Sequence, residues 1–473
     1  MLNREQINSK ISKRCIIVNK NGDEYPVDNP NQIKLVAKNY PLLNKFILDE
    51  HGLNPNNSSP KSIQAMQKLE LVDYESASDS GHFRFYPKGN LIFDLIKSWA
   101  EEIAQNKLNA LKIETPLIYD YNEPDIKEQV QSFHENHYIV NAPGKDKEFI
   151  LRFAGDFGLF RMLKEASLSY KALPLRVYEF SKSFRYEKSG SLVGLKRLRG
   201  FSMPDIHSFT EDISQGFSEY KELYRNFYDL AKSMDVKFVP VFRAVESFYY
   251  ENKAEILELI NYGDSPVYIE LLSEMKHYWA IKSEFQVIDF NNSFMQLSTV
   301  QLDIKDAKIY GINYLDKAGI EKGCTICHSS IGSIERWMYA VLENSLMKEK
   351  PMLPYWLSPI QLRIIPVSDL YLDESLKLAE NLSKNNIRVD IDDRDERVGR
   401  KIRISEQAWI PHILVIGENE SSNKIYNLRS RDANEITSLK FDDLISHLKI
   451  EQNNMPYIKL NLNKLLSKQP IFR

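Results

Sequence analysis

The stretch FRYEKSGSLVGLKRLRGFSMPDIHSF (184–209) holds the densest set of side chains able to do chemistry. Arg185 and Glu187 stand two residues apart, so on a strand both leave the same face. After a loop containing glycine and serine, Arg197, Arg199 and Phe201 repeat that spacing on what reads as the next strand. Guanidinium groups grip phosphate oxygens in fork geometry, a carboxylate accepts from an exocyclic amine, and a phenyl ring stacks on a purine. Together these groups suit a folded ATP. A surface hairpin with ordinary charge alternation uses the same residues, and spacing alone does not separate the two readings.

Two further patterns carry charge or soft ligands. Arg394, Arg397, Arg400, Lys401 and Arg403 put five cations within ten residues, in a chain whose formal net charge is only −3. The global charge exerts no pull on nucleic acid, so a local patch of this kind is the candidate for RNA phosphates. A solvated helix face is the plainer alternative. Cys324-Thr-Ile-Cys327 has the spacing of half a zinc knuckle or of a redox pair, but the sequence contains no second CxxC to complete a knuckle.

The elements that must position these groups are legible from periodicity. FILRFAG (149–155), VYEFSKSFRYE (177–187), YWAIKSEFQVIDF (278–290) and FMQLSTVQLDI (294–304) alternate as antiparallel strands do. Helical patterns lie at 91–107, 158–169, 214–234 and 333–347, and ALKIETPLIYD (110–120) reads as a strand closed by Pro116. The segment 347–359 carries three prolines and reads as a linker, beyond which strands alternate with helices at 372–385 and 399–408. The prediction is an α+β fold: an antiparallel sheet flanked by helices, followed by a C-terminal α/β domain. Predicted boundaries are 1–78, a small segment with no assignable chemistry, then 79–352 and 353–473. A chain of 473 residues, 43% hydrophobic and 27% charged, is not collagen, coiled coil or low-complexity sequence. Three cysteines cannot build a disulfide framework, the N-terminus is polar, and no apolar run approaches the ~20 residues that span a bilayer. The expectation is a cytoplasmic protein with no membrane partner.

The 184–209 string resembles the second signature motif of class II aminoacyl-tRNA synthetases, and specifically that of the archaeal-type threonyl-tRNA synthetases. ALKIETP (110–116) is similar to the first motif, whose strand lies at a dimer interface, and GSIERWMYAVLE (332–343) to the third. WLSPIQLRIIPVSD (356–369) and IDDRDERVGRKI (391–402) look like the anticodon-binding domain shared by threonyl, prolyl, histidyl and glycyl enzymes. The resemblance runs from the start of the 79–352 segment to the C-terminus. It implies a homodimer that activates threonine with ATP and Mg2+ to threonyl-adenylate and transfers it to tRNA(Thr).

Carried onto matching positions, the resemblance implies that Arg185 binds the α-phosphate and Glu187 reads the adenine amine. Phe201 would stack on one face of adenine, Arg336 would cover the other and reach the terminal phosphate, and Arg197 would support the triphosphate. Gln296, Thr299 and Gln301 match positions touching threonine or the ATP ribose and phosphates, while Tyr278 and Lys282 match a strand facing the amino acid. Alternating polar residues there also suit a solvated strand face. Asp205 matches the residue that orients the substrate. The family holds a zinc ion with an open position on one Cys and two His. His207 matches one histidine, whereas the Cys position falls on Asp156. Aspartate is a legitimate zinc ligand; alternatively Asp156 is a salt-bridge acid and no metal binds. The third ligand falls on His328, or on Cys327 by ungapped counting. Arg394, Arg400 and Lys401 are the expected tRNA contacts, and Arg429 and Arg431 match a position that reads anticodon bases.

Serine keeps the hydroxyl and lacks only a methyl, worth about 1–3 kcal/mol, so a metal that grips the hydroxyl cannot exclude it. Segment 1–78 shows no recognisable editing motif. The expectation is a form without its own editing domain, with mischarged tRNA corrected by a separate trans-editing protein. Two other readings stand beside it: a relative with altered specificity, such as prolyl, and a synthetase-like paralogue acting as an RNA-binding or regulatory protein. The first conflicts with the pair Asp205 and His207, and the second with an intact set of Arg185, Glu187, Phe201 and Arg336.

Overall fold

The computed structural model describes residues 11–28, 33, 38–54, 60–133, 137–141, 144, 147–433 and 436–472. Contacts divide the chain into two compact units, Met1–Ser58 with Ala100–Ala340, and Ser59–Trp99 with Val341–Arg473. The segment 1–78 is therefore shared between the two units.

Ten strands of the first unit form one sheet. In chain order they are β1 (Lys13–Val18), β2 (Glu24–Pro26), β3 (Leu111–Ile113), β4 (Leu175–Phe184), β5 (Gly200–Thr210), β6 (Phe238–Val245), β7 (Val267–Leu272), β8 (Trp279–Ile288), β9 (Phe294–Asp303) and β10 (Thr325–Ser330). Their spatial order is β2-β1-β7-β6-β8-β9-β10-β5-β4-β3. The expected antiparallel sheet is mixed, because β6 pairs with β7 and β3 with β4 in parallel. Parallel neighbours need a long crossover, and the helices Glu246–Glu251 and Lys253–Tyr262 supply one between β6 and β7. The expected strand 110–120 is two strands. β3 stops before Pro116, and Ile118–Asp120 pairs with Glu148–Leu151 in a separate small sheet. Proline has no N–H with which to continue a ladder.

One face of the sheet is covered by the helix Ile213–Ser233. Asp212 caps it by accepting from the Gln215 N–H at 2.9 Å. Phe217, Tyr220, Tyr224 and Phe227 recur at three- and four-residue spacing and are buried, with the helix packing on β9 and β10. The opposite face is left for the polar residues described below.

In the second unit β11 (Leu362–Pro366), β12 (Val389–Ile391), β13 (His412–Ile416), β14 (Ile425–Ser430) and β15 (Ile436–Lys440) take the order β12-β11-β13-β14-β15. The first three are parallel and the last two antiparallel. Leu362, Ile364, Leu378, Leu414 and Leu444 form the centre of its core. The proline-rich stretch expected as a linker includes a tight helical turn, Tyr355–Leu357, with Trp356 and Leu357 buried. No helix among the described residues is long and apolar enough to cross a membrane.

Candidate active site

Register decides which residues share a face. His207 on β5 lies opposite His328 on β10, and Asp205 opposite Ser330. Across β10, Gln301 and Thr299 of β9 lie opposite the same two residues, and Lys282 of β8 lies opposite Gln301. Directly opposed residues project to one side of a sheet. Phe201, Asp205 and His207 are separated by even numbers of residues on β5, so they join that side too. Cys327 pairs with Ser208 and faces the other way, where the charges of Glu219 and Arg176 reach it. Of the two candidates for the third ligand, the structure brings His328 to the site and buries Cys327 behind it.

The motif arginines do not sit on strands as expected. β4 ends at Phe184 and β5 begins at Gly200, so Arg185, Glu187, Arg197 and Arg199 lie in the connecting hairpin, where hydrogen bonds and not strand alternation aim them. Arg185 donates from Nε to the Phe153 carbonyl at 3.1 Å, and its guanidinium carbon lies 5.2 Å from the Phe201 ring centroid. Arg197 donates to the Glu187 carboxylate at 2.9 Å. Arg199 is a structural clamp: buried, it donates to the Glu187 carbonyl at 2.8 Å and stacks 4.3 Å over Tyr186. Arg336 reaches this group from the third-motif helix, Ile334–Leu346, donating to the carbonyls of Lys196 at 3.1 Å and Gln296 at 2.8 Å. Burial, then the positive charges of Arg185 and Arg197, push Arg336 down to about 10. Three guanidinium groups this close make a place for a polyanion.

The remaining predicted residues line the same face. Burial pushes the Asp205 carboxyl up to about 6, against His207 and a 2.8 Å hydrogen bond donated by Ser181. Tyr278 donates to Gln301 at 3.0 Å, and Lys282 donates to Gln296 at 3.1 Å while pairing with Glu284 at 2.7 Å. Thr299 spends its hydroxyl on the Ser283 carbonyl at 3.0 Å. Gly155, immediately before the helix Asp156–Glu165, is packed so closely that an added Cβ would lie 3.2 Å from Ser181 and 3.5 Å from Asp205.

Asp156, His207 and His328 each offer a ligand atom within 4.8 Å of the others. Asp156 Oδ1 and His207 Nε2 are 3.1 Å apart, close to the ~3.3 Å edge of a tetrahedron with ~2.0 Å bonds. Burial would raise the Asp156 carboxyl, but the His207 hydrogen bond and the charges of His207, His328 and Arg185 outweigh it and hold it at about 2, the ionised form a metal requires. The donor set of one oxygen and two nitrogens fits zinc. Sequence reasoning missed Asp303, which lies 2.7 Å from His328 Nε2, and Asp306, which joins Asp303 and His328 in a second group of possible ligands. It also missed Lys196, which pins the motif hairpin to Asp289 at 2.9 Å and Ser293 at 2.8 Å. A carboxylate at a strand end and a lysine in a loop carry no sequence signal of their own.

The expected tRNA contacts are in the second unit. Arg394 is held by Asp392 at 2.9 and 2.8 Å, and Arg400 is 61% exposed beside Glu396. Lys401 is only 5% exposed, which does not suit a phosphate contact and removes it from the set. Arg429 and Arg431 line a cavity of about 460 Å³, with Arg431 donating to the Pro351 carbonyl at 2.9 Å.

Comparison with known proteins follows this division. A family model described as the tRNA synthetase class II core domain (G, H, P, S and T) matches residues 138–345, and one described as an anticodon binding domain matches 361–451. Curated relatives named threonine--tRNA ligase include one from Thermococcus kodakarensis, 39% identical over 91% of this chain and 70% of its own length. One from Pyrococcus furiosus is 41% identical over 88% and 68%, and one from Nitrosopumilus maritimus 36% over 94% and 72%. A crystal structure titled as the RNA binding domain of threonyl-tRNA synthetase from Cryptosporidium parvum has a TM-score of 0.73 at 23% identity, covering 84% of this chain and 98% of that one. A prolyl-tRNA synthetase from the same organism has a TM-score of 0.66 at 16% identity, covering 83% and 77%. These two likenesses speak to the fold.

Proposed function

Because the chain belongs to the threonine--tRNA ligases, a class II synthetase family, we propose how its own residues divide the work of that ligation. The reaction has two steps: the threonine carboxylate attacks the α-phosphorus of ATP, expelling pyrophosphate, and a terminal ribose hydroxyl of tRNA(Thr) then takes the threonyl group from AMP. Arg185 meets the α-phosphate and stabilises charge developing there. Glu187 accepts from the adenine amine. Arg336 and Phe201 sandwich the base, and Arg197 and Arg336 hold the outer phosphates, with Mg2+ accompanying the nucleotide. The observation that carries this reading is the convergence of Arg185, Arg197 and Arg336 on one place, with Arg336 held by the carbonyls of Lys196 and Gln296. Burial first, and then the other two charges, push Arg336 down to about 10, and bound phosphates would offset that cost.

Asp205 orients the threonine ammonium, with Tyr278, Lys282 and Gln296 beside it and Gln301 toward the nucleotide. Thr299 shapes the floor through its backbone bond. Zinc held by Asp156, His207 and His328 would supply an open position for the substrate hydroxyl, a distinction apolar contact cannot make against isosteric valine. Serine keeps that hydroxyl, so its removal falls to a separate trans-editing protein. Arg394, Arg400, Arg429 and Arg431 contact tRNA. Exposed Leu111, Leu117 and Ile118 in the first-motif region suit a homodimer interface. The functional partition is 79–352 for activation and 353–473 for the anticodon, in the cytoplasm.

ATP–pyrophosphate exchange with a panel of amino acids, with and without a zinc chelator, tests this. Exchange with threonine, weakly with serine and not with valine is expected. Exchange with no amino acid would refute the catalytic assignment and favour the RNA-binding alternative. Chelator-insensitive selectivity for threonine would remove the metal alone.

A further inference from the structure

The cavity of the second unit receives a residue from a part of the chain that neither family model covers. Besides Arg429 and Arg431 it is lined by Arg403 and Lys350, and by Lys68 from the last turn of the helix Lys61–Lys68. Among the described residues, Glu406 is the single acid in that lining. Lys68, Arg403 and Arg429 are exposed and make no ion pair among the described residues. Five cations around one acid leave the cavity strongly positive, and self-repulsion favours an anionic occupant.

Its wall is also aromatic. Trp409 lines the cavity just past the helix Val398–Gln407. The ending of that helix, with the N–H groups of Trp409 and Ile410 donating to the Glu406 and Ser405 carbonyls, accounts for its left-handed φ of +58°. Cations beside a half-buried ring that lines a cavity are a combination that binds single-stranded nucleic acid, the ring taking a base and the cations its phosphates.

We propose that the helix Lys61–Lys68 is an RNA-binding element, in which Lys68 grips a phosphate flanking a single-stranded base stacked on Trp409. The inference rests on the reading of the chain as a tRNA ligase and extends it to a segment with no role so far. Each phosphate contact on a single strand contributes about 0.7 to the slope of log affinity against log salt, which amounts to roughly fourfold in affinity at about 0.15 M.

The test is binding of full-length chain to tRNA(Thr), followed by anisotropy between about 0.05 and 0.3 M salt. Lys68→Ala is expected to weaken binding roughly fourfold and lower the salt slope by about 0.7, Lys68→Arg to restore both, and Lys68→Glu to weaken binding roughly tenfold. Trp409→Ala is expected to lose on the order of tenfold, with Trp409→Phe retaining most of it. Lys68→Ala with wild-type affinity and slope would overturn the proposal, as would equal losses in Lys68→Ala and Lys68→Arg. Failure of the wild-type chain to bind tRNA(Thr) would overturn the ligase reading beneath it as well. Lys68 is exposed at a helix end, so these variants perturb charge and not the core.

Discussion

Gly332 precedes the helix that carries Arg336, and replacing it with alanine probes how that helix is seated. Its φ of +106° lies where a side chain is strained, and an added Cβ would stand 2.8 Å from the Leu297 carbonyl oxygen, where ordinary contact begins at 3.4 Å. The conformation costs about 1–3 kcal/mol, and displacing β9 or the helix start costs a further ~1–3 kcal/mol. Restricting the unfolded chain returns about 0.4–1 kcal/mol. The net is a destabilisation of about 3 kcal/mol, or roughly 3–5 °C in Tm for a unit of about 300 residues. Gly190→Ala is the matched control, since its Cβ would meet nothing within 4 Å and its unfolded-state term is the same. The clash also has a functional address: Leu297 follows Gln296, whose carbonyl accepts from Arg336 at 2.8 Å. Any shift that relieves the contact moves that pair, so KM for ATP in pyrophosphate exchange should rise along with the loss of Tm. Differential scanning fluorimetry showing Gly332→Ala within a degree or so of Gly190→Ala would refute the reasoning.

Other perturbations follow from the same geometry. Arg336→Gln should slow threonine-dependent exchange by ~100-fold or more while lowering Tm little, because the charge it removes is held at an energetic cost; unchanged exchange kinetics would remove Arg336 from the nucleotide site. Asp156→Asn should cut zinc retention after dialysis more than about tenfold and Asp156→Cys should increase it, thiolate being the softer donor; metal content indifferent to both would dismiss the centre. Glu284 sits buried between Lys282 and Arg243: burial pushes its carboxyl up, but the two cations outweigh that and hold it at about 2 against an ordinary 4.5. Its pKa is depressed in the folded chain, so it contributes up to ~3 kcal/mol that is complete above pH 4.5 and lost as pH falls toward 2. Glu284→Gln should therefore flatten the acid limb of Tm against pH, and an unaltered limb would refute the assignment.

Much of this was legible without coordinates. Strands β4, β8 and β9 follow from alternation, β5 from the two-residue spacing that ends at Phe201, and the helix Ile213–Ser233 from a periodic apolar face, because burial on one side imposes those periods. The motif residues Arg185, Glu187, Phe201 and Arg336 were identifiable by type and order. What spacing could not give was their aim. Arg197 and Arg199 were expected side by side on a strand, yet in the hairpin loop one pairs with Glu187 and the other is buried against Tyr186. Lys401 belongs to a basic run in the sequence but to the interior in the fold, since a helix must turn some of its residues inward.

Residue types alone set out the chemistry available to this chain: guanidinium groups for phosphates, a ring for a base, and a carboxylate with two imidazoles for a metal. Which of them meet depends on strand pairing. Cys327 and His328 are neighbours in the chain, and ungapped counting points to the thiol. Adjacent residues of a strand project to opposite faces, so pairing β10 with β5 at His207–His328 puts the imidazole in the site and the thiol behind the sheet. Asp303 becomes His328's partner in the same way, through a register that joins strands distant in sequence. Residue types are written locally, but proximity is a property of register and packing, which no single segment contains.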